Sequence, residues 1–251
     1  MKNAAYTELP KKSKDCAILI PLYKSKYSDS ELLCIESAMQ KLYKWDIFFV
    51  THPDNVIQPF EIDQALVRYS LFSDRHFHST NSYSNWLLTS ELYLRFQAFK
   101  KILICQTDAY VVADEIDYWV LKDYDYIGAP WHGLISITPN YNATRHLNGT
   151  QFKLFVGNGG FSMRDPAGIA NALVRNYELS QEFRGNEDGF FAFLGLVDPL
   201  FRIAPYHDAC IFALELQARQ TLRITDRMPM GFHALEKNDV SLWRELTYQN
   251  E

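Results

Sequence analysis

The order strand, helix, strand at the start of the chain limits its fold more than any other feature. CAILIPLYKS (16–25) is a continuous apolar run closed by Pro21. A strand buried on both faces reads this way, because neither face needs polar residues for water. SDSELLCIESAMQKLYKW follows, with Ser and Asp to cap a helix and Leu32, Leu33, Ile35, Met39, Leu42 and Tyr43 at helical spacing. DIFFVTHP (46–53) is a second apolar run ending in a proline. Two strands joined through a helix run parallel, since the crossover carries the chain back to where the first strand began. The fold class expected is therefore α/β, with a mixed, mainly parallel sheet flanked by helices.

A third strand is expected near Ala65–Phe72, then one helix over YSNWLLTSELYLRFQAFK (83–100) with Leu87, Leu88, Leu92 and Phe96 on one face. That helix leads into KILICQTDAYVV (101–112), where an apolar run ends in Gln106, Thr107 and Asp108. Open parallel sheets gather ligands at the carboxyl ends of their strands. A carboxylate there, flanked by apolar sequence, has to be paired, protonated or bound to a cation. Pairing with an arginine or capping a loop accounts for Asp108 as well as a divalent cation bridging two phosphates does.

Beyond Trp119 the periodicity weakens. YDYIGAPWHG (124–133) reads as a short strand and a turn, and 133–151 as a polar, mobile loop of the kind that covers sites. FVGNGGFSMRDP (155–166) reads first as a tight turn between a strand and a helix, although small residues also let backbone approach a bulky ligand. Helices are expected over DPAGIANALVRNYEL (165–179), from NEDGFFAFLGL (186–196) and over HDACIFALELQAR (207–219). Glu187 and Asp188 suit a helix N-terminus on electrostatic grounds alone. His233 is ordinary as a packed imidazole and equally ordinary as a partner of an aspartate at a divalent site.

The formal net charge of −5 and pI near 5.8 give no cationic footprint, so nucleic acid is not an expected partner. Cys16, Cys34, Cys105 and Cys210 stand apart among apolar neighbours, as reduced core residues of a cytoplasmic protein do. Residues 1–15 are polar, with no apolar stretch of signal-peptide type, and no later segment has the length of a membrane span. The expected organisation is an N-terminal tail (1–15) and a single domain (16–251), cytoplasmic and compatible with peripheral attachment to the inner membrane face.

The ordered series ILIPLYKS, YxxxxLTSELY, ICQTDAYVV, YDYIGAPW, VGNGGFSMR, NEDGFF and MGFHALEK resembles the DUF5672 family, which is associated with glycosyltransferases, over about residues 16–243. The order is similar to that of GT-A glycosyltransferases. The resemblance implies a single GT-A-like domain that moves a sugar from a nucleotide-sugar donor to a glycan or lipid-linked saccharide acceptor, with inversion, in bacterial surface polysaccharide assembly. On this reading Pro21, Tyr23, Gln106, Thr107 and Asp108 meet the donor, and Asp108 with His233 holds a divalent cation, Mn2+ or Mg2+. Trp131, Gly157, Asn158, Gly159, Gly160 and Phe161 shape the sugar and acceptor pocket. Asp188 takes the acceptor proton, with Glu187 as the alternative base. The chain departs from the family pattern of Asp-x-Asp in having QTD, where Gln106 can ligate a hard cation but adds no charge. Arg164, Lys153 or Arg145 could neutralise the phosphates instead. Two other readings stay open: a nucleotide-sugar binder without turnover, and a metal-dependent phosphoesterase or nucleotidyltransferase.

Overall fold

The computed structural model describes residues 15–55 and 67–247. The chain opens as expected: β1 (Cys16–Pro21), α1 (Asp29–Lys41) and β2 (Asp46–Thr51), with Ser28 and Glu31 forming a reciprocal cap at the start of α1. β3 (Val67–Leu71) supplies the third strand, its expected first residues lying outside the described ones. The single helix expected over 83–100 is two, α2 (Thr80–Leu87) and α3 (Glu91–Arg95). Between them the Thr89 hydroxyl donates to the Trp86 carbonyl, and the Trp86 indole N–H donates to Glu91, so side chains take over from the helical ladder.

β4 (Lys101–Cys105) enters the QTD turn, and β5 (Ala109–Val111) leaves it. α4 (Ile116–Val120) and β6 (Tyr126–Gly128) follow. The loop expected over 133–151 is observed over 138–151, with one short helical turn at Arg145–Leu147, and it joins two antiparallel strands, β7 (Pro130–Ile137), which runs on past the expected turn, and β8 (Phe152–Val156). The glycine-rich turn (157–160) joins β8 to β9 (Phe161–Arg164), so it connects two strands and not a strand and a helix. α5 (Pro166–Arg175), α6 (Tyr177–Glu182) and α7 (Glu187–Val197) come next. The helix expected over 207–219 is α8 (Tyr206–Phe212), then β10 (Ala213–Leu214), then α9 (Ala218–Thr225). β11 (Gly231–His233), α10 (Leu235–Asn238) and α11 (Val240–Thr247) close the described chain.

The main sheet has the order β3-β2-β1-β4-β9-β6, with the first four strands parallel and β9 antiparallel to both of its neighbours. Alternation along its central strands feeds two cores. Ala17, Leu19, Ile102 and Ile104 face α2, α3, α5 and α7, whereas Cys16, Ile18, Leu103 and Cys105 face α1, α4 and α8. The sheet is thus covered on both sides, which is why its central strands contain almost no polar residue. All four cysteines are free and buried. A small sheet, β10-β11-β5, stands beyond the carboxyl end of β4 and packs on α9, α10 and α11. Among the described residues no helix is long and apolar enough to cross a membrane.

Candidate active site

The carboxyl ends of β1 and β4 open onto a cavity of about 400 Å3 lined by Pro21, Tyr23 and Gln106 from the sheet side and by Phe77, His78, Ser79, Thr80 and Tyr83 from α2 and the turn before it. Tyr23 is exposed, and Gln106 hydrogen bonds the Tyr83 hydroxyl. Thr107 behaves differently. It is fully buried and its hydroxyl donates to Glu31 at 3.0 Å, tying the QTD turn to α1.

The small sheet exists to bring two distant segments together. β11 pairs antiparallel with β5, so His233 stands opposite Ala109, one residue from Asp108. His233 Nε2 lies 3.2 Å from Asp108 Oδ1, and Lys237 Nζ donates to Asp108 Oδ2 at 3.0 Å. Burial favours the neutral carboxyl of Asp108, but His233 and Lys237 outweigh it and hold the group well below the ordinary carboxylate range. Burial likewise opposes charge on His233, and the Asp108 and Glu215 carboxylates beside the ring overcome it, raising its pKa to about 9.

The glycine-rich turn sits between this pair and a second acidic group. Gly160 accepts from the Gln106 N–H at 2.8 Å, and its Cα is pressed so closely on the His233 imidazole that a Cβ would collide with the ring. Asn158 Oδ1 accepts from the Gly160 and Phe161 N–H groups, turning its amide nitrogen to His233 Nδ1 at 2.9 Å. Gly159 N–H donates to Asp188 Oδ2 at 3.3 Å. Asp188 is partly exposed at the first turn of α7, and burial with the adjacent Glu187 charge lifts its pKa to about 6.

Glu187 points the other way, into the core. One oxygen accepts from Arg164 at 3.1 Å and the other from the Ser84 hydroxyl at 2.9 Å. Arg164 is fully buried, also donating to Ser162, the Tyr93 hydroxyl and the Gly159 carbonyl, so it cannot reach a phosphate as expected from sequence. Lys153 and Arg145 lie exposed on β8 and in the short turn between β7 and β8, and neither lines the cavities at the QTD turn. Trp131 is buried with its ring against Gly157, and Phe161 is buried against Phe212, so both support the turn from below. Lys237 and Glu215 were not singled out from the sequence. Lys237 stands in MGFHALEK, four residues after His233, and that spacing was its one signal.

A divalent cation fits part of this arrangement. Among the described residues no three His, Cys, Asp or Glu side chains group as a metal cluster. Two donors are nevertheless present, and His233 Nε2 is a buried nitrogen with no hydrogen-bond partner. Neighbouring ligands of an octahedral Mg2+ stand roughly 3 Å apart, close to the Asp108–His233 separation. Such an ion commonly takes one or two protein ligands and leaves its other positions to water and phosphate.

The profile of the family described as "Protein of unknown function (DUF5672)" matches residues 66–233. The chain belongs to the DUF5672 family. No curated protein matches the sequence. The fold of this DUF5672 protein is that of the GT-A glycosyltransferases. It is similar to mouse xyloside xylosyltransferase 1 in its apo form, at 13% identity and TM-score 0.52 over 87% of this chain and 97% of that one. It is also similar to the galactosyltransferase LgtC in complex with donor and acceptor sugar analogues, at 12% identity and TM-score 0.57 over 92% and 94%.

Proposed function

We propose that this DUF5672 protein is a glycosyltransferase that moves a sugar from a nucleotide-sugar donor to an acceptor hydroxyl. One observation carries the reading: the turn 157–160 bonds Asp188 on one side and seats His233 against Asp108 on the other, at the carboxyl end of a parallel sheet. On this reading a base would stand beside the donor's diphosphate. The cavity at Pro21, Tyr23 and Gln106 would take the nucleotide, and the exposed Tyr23 ring offers it a stacking face. Asp108 and His233 would hold a divalent cation, which when bound neutralises the leaving diphosphate. Lys237 would turn from Asp108 to a phosphate oxygen as that charge arrives.

Asp188 would accept the acceptor proton. Its pKa near 6 leaves it ionised at neutral pH while keeping it more basic than an ordinary aspartate. Inversion, with attack on the face opposite the leaving group, is supported by the family resemblance. The family resemblance supports a glycan or lipid-linked saccharide acceptor, a hexose donor and a role in surface polysaccharide assembly at the cytoplasmic membrane face.

The test is melting of the purified protein with each nucleoside diphosphate, with and without Mn2+, followed by transfer assays with the donor so identified. One diphosphate with Mn2+ should raise Tm by roughly 5–10 °C at saturation, and Asp108→Ala should remove the shift. A product that keeps the donor's anomeric configuration would overturn inversion, and full transfer activity in Asp188→Asn would remove the base role from Asp188. Gln106 favours a second reading, binding without turnover, because it halves the carboxylate charge of the usual motif. Binding with neither transfer nor donor hydrolysis would select it, and cleavage between the phosphates would select a phosphoesterase or nucleotidyltransferase.

A further inference from the structure

A separate cavity, of about 610 Å3, opens where the segment after β7 meets the end of α6, with Ser136, Thr138, Asn140, Tyr141, Glu182 and Arg184 in its lining. Its walls are held in place by their own contacts. Glu182 ties α6 to the segment: one carboxylate oxygen accepts from the Asn142 amide at 2.9 Å and the other from the Ala143 N–H at 3.2 Å. Tyr141 is buried, with its N–H on Asn148 and its ring against Phe183. Arg184 is the exception. Its Nη1 donates to the Gln181 and Phe183 carbonyls at 3.1 and 3.3 Å, which anchors the guanidinium on its own backbone. The other edge, Nε and Nη2, has no partner among the described residues, and the nearby Glu182 already has both oxygens engaged. That edge is the planar fork that meets a carboxylate or phosphate through two parallel N–H groups.

We propose that this cavity is the subsite for an acid group carried by the acceptor, the carboxylate of an acidic sugar or a sugar phosphate, and that Arg184 selects it. The hydroxyls of Ser136 and Thr138 and the amide of Asn140 suit the hydroxyl-rich body of the same saccharide. An anchored guanidinium has less freedom to lose on binding than one that swings in solvent. The cavity's relation to the reaction follows from the chain. Arg184 stands four residues before Asp188, so their Cα atoms are at most about 14 Å apart. Phe183 joins the two places, since its ring meets Tyr141 on one side and lies against Gly185 and Gly189, the second of these next to Asp188. The cavity proposed for the nucleotide, at Pro21, Tyr23 and Gln106, shares no lining residue with this one. An acceptor hydroxyl at Asp188 would thus leave a neighbouring sugar unit within reach of Arg184.

The inference rests on the acceptor side of the proposed function, and its test separates the two. Digalacturonate, its neutral dimethyl ester, glucose 6-phosphate and glucose would be titrated into 15N-labelled wild type, Arg184→Gln and Arg184→Lys, with melting curves to establish that each folds. The signals followed are the Arg184 Nε–H and the backbone amides of 138 and 140–142. The expected result is millimolar binding of an anionic probe that moves both sets of signals together, weakens with added salt, and is about 10-fold weaker in Arg184→Gln, with little recovery in Arg184→Lys. Digalacturonate alone would assign a carboxylate, and glucose 6-phosphate alone a phosphate. The inference is overturned if neither anionic probe moves these signals, if the neutral probes bind as well, or if Arg184→Gln binds unchanged. Transfer assays then use the donor identified by melting. Binding at Arg184 without transfer to any probe upholds the cavity and counts against the transferase reading. Transfer to the neutral saccharides at equal rates in wild type and Arg184→Gln upholds the transferase and overturns the cavity.

Discussion

Two polar clusters lie on opposite sides of the glycine-rich turn, and they are built from similar parts. In the Arg164 cluster a buried guanidinium meets Glu187, Ser162, Tyr93 and the Gly159 carbonyl, while Ser84 takes the second oxygen of Glu187. Every strong donor and acceptor there is used and solvent is excluded. In the Asp108 cluster the carboxylate is about a quarter exposed, Lys237 is a flexible surface cation, and His233 Nε2 is left without a hydrogen bond. A closed, satisfied network holds backbone in place, whereas an open one with an unsatisfied atom has something left to bind. The neighbours Glu187 and Asp188 show the same contrast within one helical turn: the first is an anchor, the second is accessible.

Replacing Arg164 with Leu should have the largest effect. It strands Glu187 in the core without a partner, at a cost of roughly 3–5 kcal/mol, or a Tm lower by roughly 10 °C. Arg164→Lys should recover little, because an ammonium cannot reproduce the fork onto Glu187 and Gly159. If calorimetry finds Arg164→Leu as stable as wild type, the cluster is not scaffold and the contrast fails. Gly160→Ala comes next. Its Cβ collides with the His233 ring, costing about 1–3 kcal/mol and pushing the imidazole off Asp108, so Mn2+ affinity should fall together with Tm. A variant that loses neither would show that the turn does not seat His233.

The pH-dependent effect, and the most diagnostic, belongs to Asp188. Its folded pKa of about 6 lies above the ordinary value, so the folded state favours the protonated form. The stability this contributes is complete below about pH 4 and is lost as pH rises through 6. Asp188→Asn should therefore equal wild type near pH 4 and exceed it above pH 6 by up to roughly 3 kcal/mol, while transfer falls by about 100-fold or more. Wild-type transfer should itself rise with pH through about 6, as the carboxylate form accumulates. A flat stability difference from pH 4 to 8 would mean that Asp188 is as well solvated as any surface aspartate.

Much of this arrangement was legible in the chain. The first βαβ unit, the strand ending at QTD and the helix opening at Glu187 all follow from periodicity, since each is a long element with one consistent pattern. The run of β7 on to Ile137 was not, because with Leu134, Ile135 and Ser136 all exposed the strand lacks the alternation that burial imposes. The break at Ala213 was hidden for the opposite reason: ACIFALEL is apolar at helical and strand spacing alike, and pairing with β11 decides between them. Arg164 read as a phosphate ligand because charge in a sequence suggests the surface, and only packing reveals that its partner is Glu187.

Sequence alone determined which side chains were candidates, Asp108, the GNGG turn, Asp188 and His233, because strand ends, glycine runs and helix starts are local properties of the chain. Tertiary structure decided which of them meet and in what protonation environment. His233 reaches Asp108 only through the β11–β5 pairing, Glu215 reaches His233 only through the register of β10, and Glu187 differs from Asp188 only in the direction each faces. Such contacts join residues up to 125 positions apart, Asp108 to His233, and depend on the register between strands rather than on the pattern within any one of them.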